Sequence, residues 1–138
     1  MSTRSYIIQK LGDGYAGVYC HWDGYPEHTG KLLHDNYTTG SAVSDLIGLG
    51  DLSILAATID GCKAYRDRGD AWEFCKPRKA GELSELVAVA DESGCEHVYY
   101  FDGRLWQHAV LGSELFRLSD GSEFSEFRAL SRALAGDE

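Results

Sequence analysis

The sequence predicts an α+β domain: an antiparallel sheet built from two hairpins and covered by three to four helices. Two observations carry this. Gly12-Asp13-Gly14 and Asp102-Gly103 each stand between β-prone runs, and the stretches between and after them repeat apolar residues at helical spacing. The length of 138 residues suits one domain, taken as residues 1–138.

In chain order, Ser5 to Lys10 is a β-prone run containing Tyr6, Ile7 and Ile8. Tyr15 to His21 follows as its partner strand. Ala16, Val18 and Cys20 are expected on one face, and Gly17, Tyr19 and His21 on the other. Asp23-Gly24 breaks the strand, and Pro26 stands where a helix can begin. Leu32, Leu33 and Tyr37 give that helix its apolar side. Gly30 inside it costs about 1 kcal/mol relative to alanine, so packing must hold the helix.

Ser41 is expected to cap a second helix reaching Leu49, with Gly50 as its stop. Asp51 to Thr58 fits a strand or a buried turn. Residues 60–80 read mainly as loop, with a strand near Trp72. Glu82 to Ala90 places Leu83, Leu86, Val87 and Ala90 on one helical face. His97 to Phe101 and Arg104 to Val110 form the second hairpin around a two-residue Asp-Gly turn. Phe116 and Leu118 are assigned to a further strand, and Phe124, Phe127, Leu130 and Leu134 to a closing helix.

The net charge of −9 is unevenly spread. Residues 1–60 carry three basic against seven acidic side chains, and residues 81–138 four against twelve. Residues 61–80 reverse the sign, with six basic (Lys63, Arg66, Arg68, Lys76, Arg78, Lys79) against three acidic. Nucleic-acid binders concentrate positive charge on a face, so direct nucleic-acid binding is not expected. An acidic surface suits basic partners, including the nucleic-acid grooves of other proteins, and it also serves plain solubility. No apolar run reaches the roughly 18 residues of a membrane span. Met1 to Lys10 lacks the apolar core of a signal peptide, so a cytoplasmic location is expected. Cys20, Cys62, Cys75 and Cys95 form no close pair and read as small buried hydrophobes in a reducing compartment.

Polar chemistry and aromatic surface converge between Tyr19 and Tyr37. This span holds His21, His28, His34, Cys20, Tyr19, Trp22, Tyr25 and Tyr37, together with Asp23, Glu27, Asp35 and Asn36. Metal binding is poorly served there. Cys20 and His21 point to opposite faces of a strand, and His28 and His34 are badly spaced on a helix. Cys95 and His97 are expected on one strand face, with no second pair nearby. No metal or other cofactor is therefore expected. His21, Asp23 and His28 are the candidate catalytic group, a histidine near a carboxylate being able to act as general base. Against that reading, no P-loop, GxGxxG, HExxH or GxSxG motif occurs, and neither Cys20 nor Tyr25 stands in a nucleophile context.

Protein recognition is the third chemistry weighed. Interface anchors favour Trp and Tyr. Tyr15, Tyr19, Trp22, Tyr25 and Tyr37 gather at one end, and Tyr99, Tyr100, Phe101 and Trp106 decorate the other hairpin. Eight tyrosines exceed what a small core is expected to absorb, because each hydroxyl needs a partner.

Several segments together carry a resemblance. They are Ser2-Thr3-Arg4-Ser5; the run Val18 to His28 with Gly30, Leu33 and Tyr37; Leu46-Ile47; Leu49 to Ser53; Arg66 to Gly69; and the hairpin from Tyr99 to Trp106. They resemble a group of small phage- and prophage-encoded proteins of unknown function that carry a YCHWDGYPEHxGxxL motif. The resemblance is strong over the first half of the chain and looser beyond. It implies origin and no reaction, so no catalytic residues carry over.

The expectation that follows is a non-enzymatic accessory protein in the bacterial host's cytoplasm. It would bind and inhibit a host protein or protein–nucleic-acid complex, such as a CRISPR–Cas defence assembly. Tyr19, Trp22, Asp23, Tyr25 and His28 would make the contacts, with Glu114, Asp120, Glu123 and Glu126 competing with a nucleic acid. A homodimer is compatible with this reading. A small hydrolase or nuclease using His21, Asp23 and His28, or a virion or assembly component, are the alternatives.

Overall fold

The structure, a computed structural model, describes residues 3–111 and 128–130. It is an α+β fold with a mixed, mostly antiparallel sheet. β1 (Ser5–Leu11) and β2 (Gly14–Cys20) form the first hairpin, and β6 (His97–Phe101) and β7 (Trp106–Val110) the second. The remaining strands are short: β3 (Leu52–Ile54), β4 (Lys63–Ala64), β5 (Arg78–Ala80) and β8 (Arg128–Ala129). The sheet runs β4-β3-β2-β1-β6-β7-β8, with β5 also pairing β2.

The two hairpins are joined by a parallel pairing, β1 against β6, with Ser5 opposite His97 and Gln9 opposite Phe101. Hairpin signals alone foretell antiparallel neighbours. The join is parallel because everything from β2 to the helix Leu83–Glu92 is interposed as a crossover. Strand alternation then sorts the core. Ile7, Ala16, Val18, Cys20, Tyr99 and Phe101 face one way, onto Leu33, Tyr37, Val43, Leu46 and Ile47 of the first helical layer. Tyr6, Ile8, Val98, Tyr100 and Ala109 face the other, onto Leu86, Val87 and Ala90. The expected split of Ala16, Val18 and Cys20 from Tyr19 is the observed one.

The first layer contains α1 (Lys31–Asn36), preceded by a π-turn at Pro26–Gly30, and α2 (Gly40–Ile47). Gly30 is closely packed. A Cβ there would lie 3.1 Å from the Tyr99 ring and 3.2 Å from Leu130. α2 is capped by Thr39 and not by Ser41: Thr39 is extended, and its hydroxyl accepts from the Ala42 N–H at 3.2 Å. The second layer is α4 (Leu83–Glu92), whose first turn is tied by the Glu85 carboxylate accepting from the Glu82 N–H at 3.0 Å.

Residues 60–80 are more ordered than a loop. They hold two 3₁₀ turns (Ile59–Gly61, Tyr65–Arg68), β4, the short helix α3 (Trp72–Cys75) and β5. Trp72 lies in that helix and not in a strand. Such short pieces carry no periodicity to read. The backbone of Asp51 holds them, its N–H donating to the Cys75 carbonyl at 2.7 Å and its carbonyl accepting from the Tyr65 N–H at 3.0 Å.

The second hairpin turns through four residues instead of two, because Phe101 pairs with Trp106. One Asp102 oxygen accepts from the N–H groups of Arg104 and Leu105, each at 2.9 Å, which widens the loop. Arg128-Ala129 pair with β7 as a strand where a helix was expected, since they complete an edge ladder. Leu130 of that expected helix is helical and buried, while Phe124, Phe127 and Leu134, and the strand assigned to Phe116 and Leu118, lie outside the described residues. No described helix is long and apolar enough to cross a membrane.

Candidate functional site

The site is the turn that follows β2. Beyond Cys20 the chain keeps company with β3: the His21 N–H donates to the Leu52 carbonyl at 3.0 Å, and the Trp22 N–H to Ser53 at 3.1 Å. Asp23 then takes a left-handed conformation at φ 56°, which aspartate tolerates better than most residues. Gly24 follows because nothing larger fits. A Cβ would stand 2.7 Å from the Ser5 Cβ and 2.8 Å from the Thr3 carbonyl oxygen.

Three further bonds strap the turn. The Gly24 N–H donates to the Thr3 carbonyl at 2.8 Å, the Tyr99 hydroxyl to the Gly24 carbonyl at 2.6 Å, and the Thr29 hydroxyl to the Asp23 carbonyl at 2.7 Å. The Tyr25 carbonyl accepts from the N–H groups of His28 and Thr29, opening the π-turn. The backbone is thus tied at both ends, and the side chains between are turned outward. Trp22 is 42% exposed and Tyr25 39%, while Asp23 is exposed and Tyr19 and His28 are partly so.

Around these rings the polar groups are specific. The Tyr19 hydroxyl and His21 Nδ1 are 2.8 Å apart, and the His21 ring meets Trp22 edge-on at 4.8 Å. Burial raises the Tyr19 phenol above its ordinary value, opposed by the nearby Arg4. The Tyr19 N–H donates to a carboxylate oxygen of buried Asp51 at 3.0 Å. Burial also raises the Asp51 carboxyl; the Tyr19 N–H and the Arg78 guanidinium, 4.0 Å away, act against it.

The candidate catalytic residues His21, Asp23 and His28 enter different hydrogen-bond and ring contacts. Among the described residues no hydrogen bond joins His21, Asp23 and His28. His21 is engaged with Tyr19, His28 rests beside Tyr25 at 6.2 Å between ring centroids, and His28 Nε2 is buried without a partner. Glu114, Asp120, Glu123 and Glu126 lie outside the described residues. No group of three His, Cys, Asp or Glu side chains suited to a metal ion occurs among the described residues.

Two sequence expectations need correction. The second hairpin's Tyr99, Tyr100, Phe101 and Trp106 are core and not contact surface. Tyr37 is buried too, as its place on the apolar side of its helix implied, its hydroxyl donating to the Ala56 carbonyl at 2.8 Å while Trp106 Nε1 donates to the Tyr37 carbonyl at 2.8 Å. Cys95 and His97 do not share a face. The strand begins only at His97, Cys95 packs with Val98 and Tyr100, and His97 stacks on Tyr99. Within the basic segment, Arg68 lies over Tyr65 at 5.2 Å and reaches Ser53 Oγ of β3 at 3.5 Å.

Sequence reading missed two groups. One is Asp51, whose role as a buried anchor depends on contacts far along the chain. The other is the pair His97 and His108, with Nδ1 and Nε2 2.9 Å apart across the second hairpin. The register sets Tyr99 opposite His108, so the two histidines are diagonal neighbours, a relation readable once the hairpin is placed. Burial lowers the His97 pKa from its ordinary value, against Glu96 and Glu27.

Comparison with protein-family models, with curated proteins and with solved structures found no match.

Proposed function

We propose that this is a non-enzymatic accessory protein of phage or prophage origin that binds and inhibits a host protein, a defence complex such as a CRISPR–Cas assembly. The observation that carries the reading is the outward pairing of Trp22 and Tyr25 on a strapped turn. Large rings held in place before contact lose little conformational freedom on binding, which makes Trp and Tyr effective anchors. Tyr19, Asp23 and His28 contribute the polar rim. Glu114, Asp120, Glu123 and Glu126 supply negative charge that competes with a nucleic acid for the partner's groove. The separation of His21, Asp23 and His28 into different local networks favours binding over hydrolysis.

The test expresses the protein in bacteria whose active CRISPR–Cas system targets an infecting phage, and counts plaques. Inhibition raises plating efficiency, and Trp22→Ala with Tyr25→Ala removes the effect while the purified variant keeps its fold. A hot-spot loss of about 2 kcal/mol corresponds to roughly 30-fold weaker binding. Unchanged plating across a panel of defence systems would overturn the proposal. So would nuclease or hydrolase activity in the pure protein that disappears with His21→Ala and His28→Ala.

A further inference from the structure

A second surface lies apart from the Trp22–Tyr25 turn. α3, β5 and α4 bound a groove of about 740 Å³ whose lining includes Trp72, Phe74, Lys76, Arg78, Lys79 and Val89. Phe74 is 77% exposed and Trp72 42%. These rings are not on a frayed end. The Asp51 N–H fixes the Cys75 carbonyl, and Gly50, at φ +82°, packs so closely that a Cβ would meet that carbonyl at 2.4 Å and the Trp72 ring at 2.9 Å. The Arg66 guanidinium sits 4.9 Å over the Trp72 ring. The presentation of apolar rings to solvent is therefore built in.

We propose that this groove docks an extended acidic peptide segment carrying an apolar anchor, supplied by another protein. Three features select that occupant. The charge is complementary: Lys76, Arg78 and Lys79 line the groove against Glu73 and Glu85, and while Arg78 stands 4.0 Å from Asp51, neither Lys76 nor Lys79 has an ion pair among the described residues. β5 pairs with β2 on one edge only, and no described strand takes its other edge, which leaves backbone donors and acceptors for an added strand. Phe74 and Val89 offer the apolar contact that one large side chain needs.

The same features disfavour other occupants. Arg78 and Lys79 on the open edge repel an identical strand from a second copy. A nucleic acid would gain from the cations but would leave the open backbone edge unmatched.

The experiment titrates the purified chain with a synthetic ten-residue peptide of alternating Glu and Val with one central Phe. The same peptide with Lys for Glu, and a ten-nucleotide thymidine strand, serve as comparators. Calorimetry should show binding of the acidic peptide, about tenfold or more tighter than of the lysine peptide and weakening with salt. Phe74→Ala and the pair Lys76→Glu, Lys79→Glu should each weaken it about tenfold. All three side chains are exposed, so urea midpoints should hold and show that the fold is intact. Equal affinity for both peptides, tighter binding of the thymidine strand, or insensitivity to both variants would overturn the assignment.

Discussion

Tyr99 and Gly24 stand 75 positions apart and share a buried hydrogen bond of 2.6 Å, the phenol donating to the glycine carbonyl. Burial drives the Tyr99 pKa well above the ordinary tyrosine value, so the donor keeps its proton at every working pH. This bond fastens the motif turn, from the first half of the chain, to the middle of a strand from the second.

Tyr99→Phe removes the donor, keeps the ring and leaves a buried carbonyl unpaired. The expected cost is about 1–3 kcal/mol of folding stability. Urea denaturation should show a lower midpoint at unchanged slope. An unchanged midpoint would mean that water replaces the phenol without penalty.

Gly24→Ala tests the close approach of the turn to the N-terminal segment. Its methyl group meets Thr3 backbone and the Ser5 side chain, neither of which is the end of a long flexible chain. Overpacking of this kind costs typically about 1–3 kcal/mol. Thermal unfolding of the variant should show a clear fall, whereas Gly40→Ala, where nothing lies within 4 Å, should not.

His97 gives the fold a dependence on pH. Burial, the largest influence, holds its folded pKa below the ordinary histidine value, with Glu96 and Glu27 acting the other way. The unfolded chain therefore takes up a proton at higher pH than the folded one. The contribution is complete above the unfolded value of about 6.5 and is lost as pH falls from there toward the folded value. Urea midpoints measured between pH 7.5 and 5.5 should decline, and His97→Gln should flatten that decline.

The thiols should differ in reactivity. Burial pushes Cys20 and Cys95 up to about 12, so almost no thiolate forms in the folded protein. Cys62 is only partly buried. Mass spectrometry after brief iodoacetamide treatment at pH 8 should find Cys62 alkylated well before Cys20 or Cys95. Early modification of Cys20 would place it nearer solvent than the β2 packing allows.

The parts of this fold written in local pattern were legible beforehand. Tyr15 to Cys20 alternates, so its two faces could be assigned, and Leu83 to Ala90 repeats at helical spacing, so α4 could be placed. Trp22 and Tyr25 are exposed on either side of Asp23-Gly24, whose turn signal is local. What resisted reading depends on distant partners. Whether Tyr99 is core or surface is decided by the carbonyl of Gly24, and whether Trp72 is strand or helix by the backbone of Asp51. Neither relation leaves a trace in the neighbouring sequence. Residues 60–80 were the hardest for that reason: each piece is too short to show a period, and each is stable only against a strand laid down earlier.

The parallel seam between β1 and β6 also orders events during synthesis. The ribosome releases the motif turn long before the strand that clamps it, so nascent Trp22 and Tyr25 wait without their fastening until Tyr99 has emerged. Contacts spanning so much chain close late and slow the search for the native state. A truncation before His97 would therefore bare one whole side of β1 and never acquire the rigid turn.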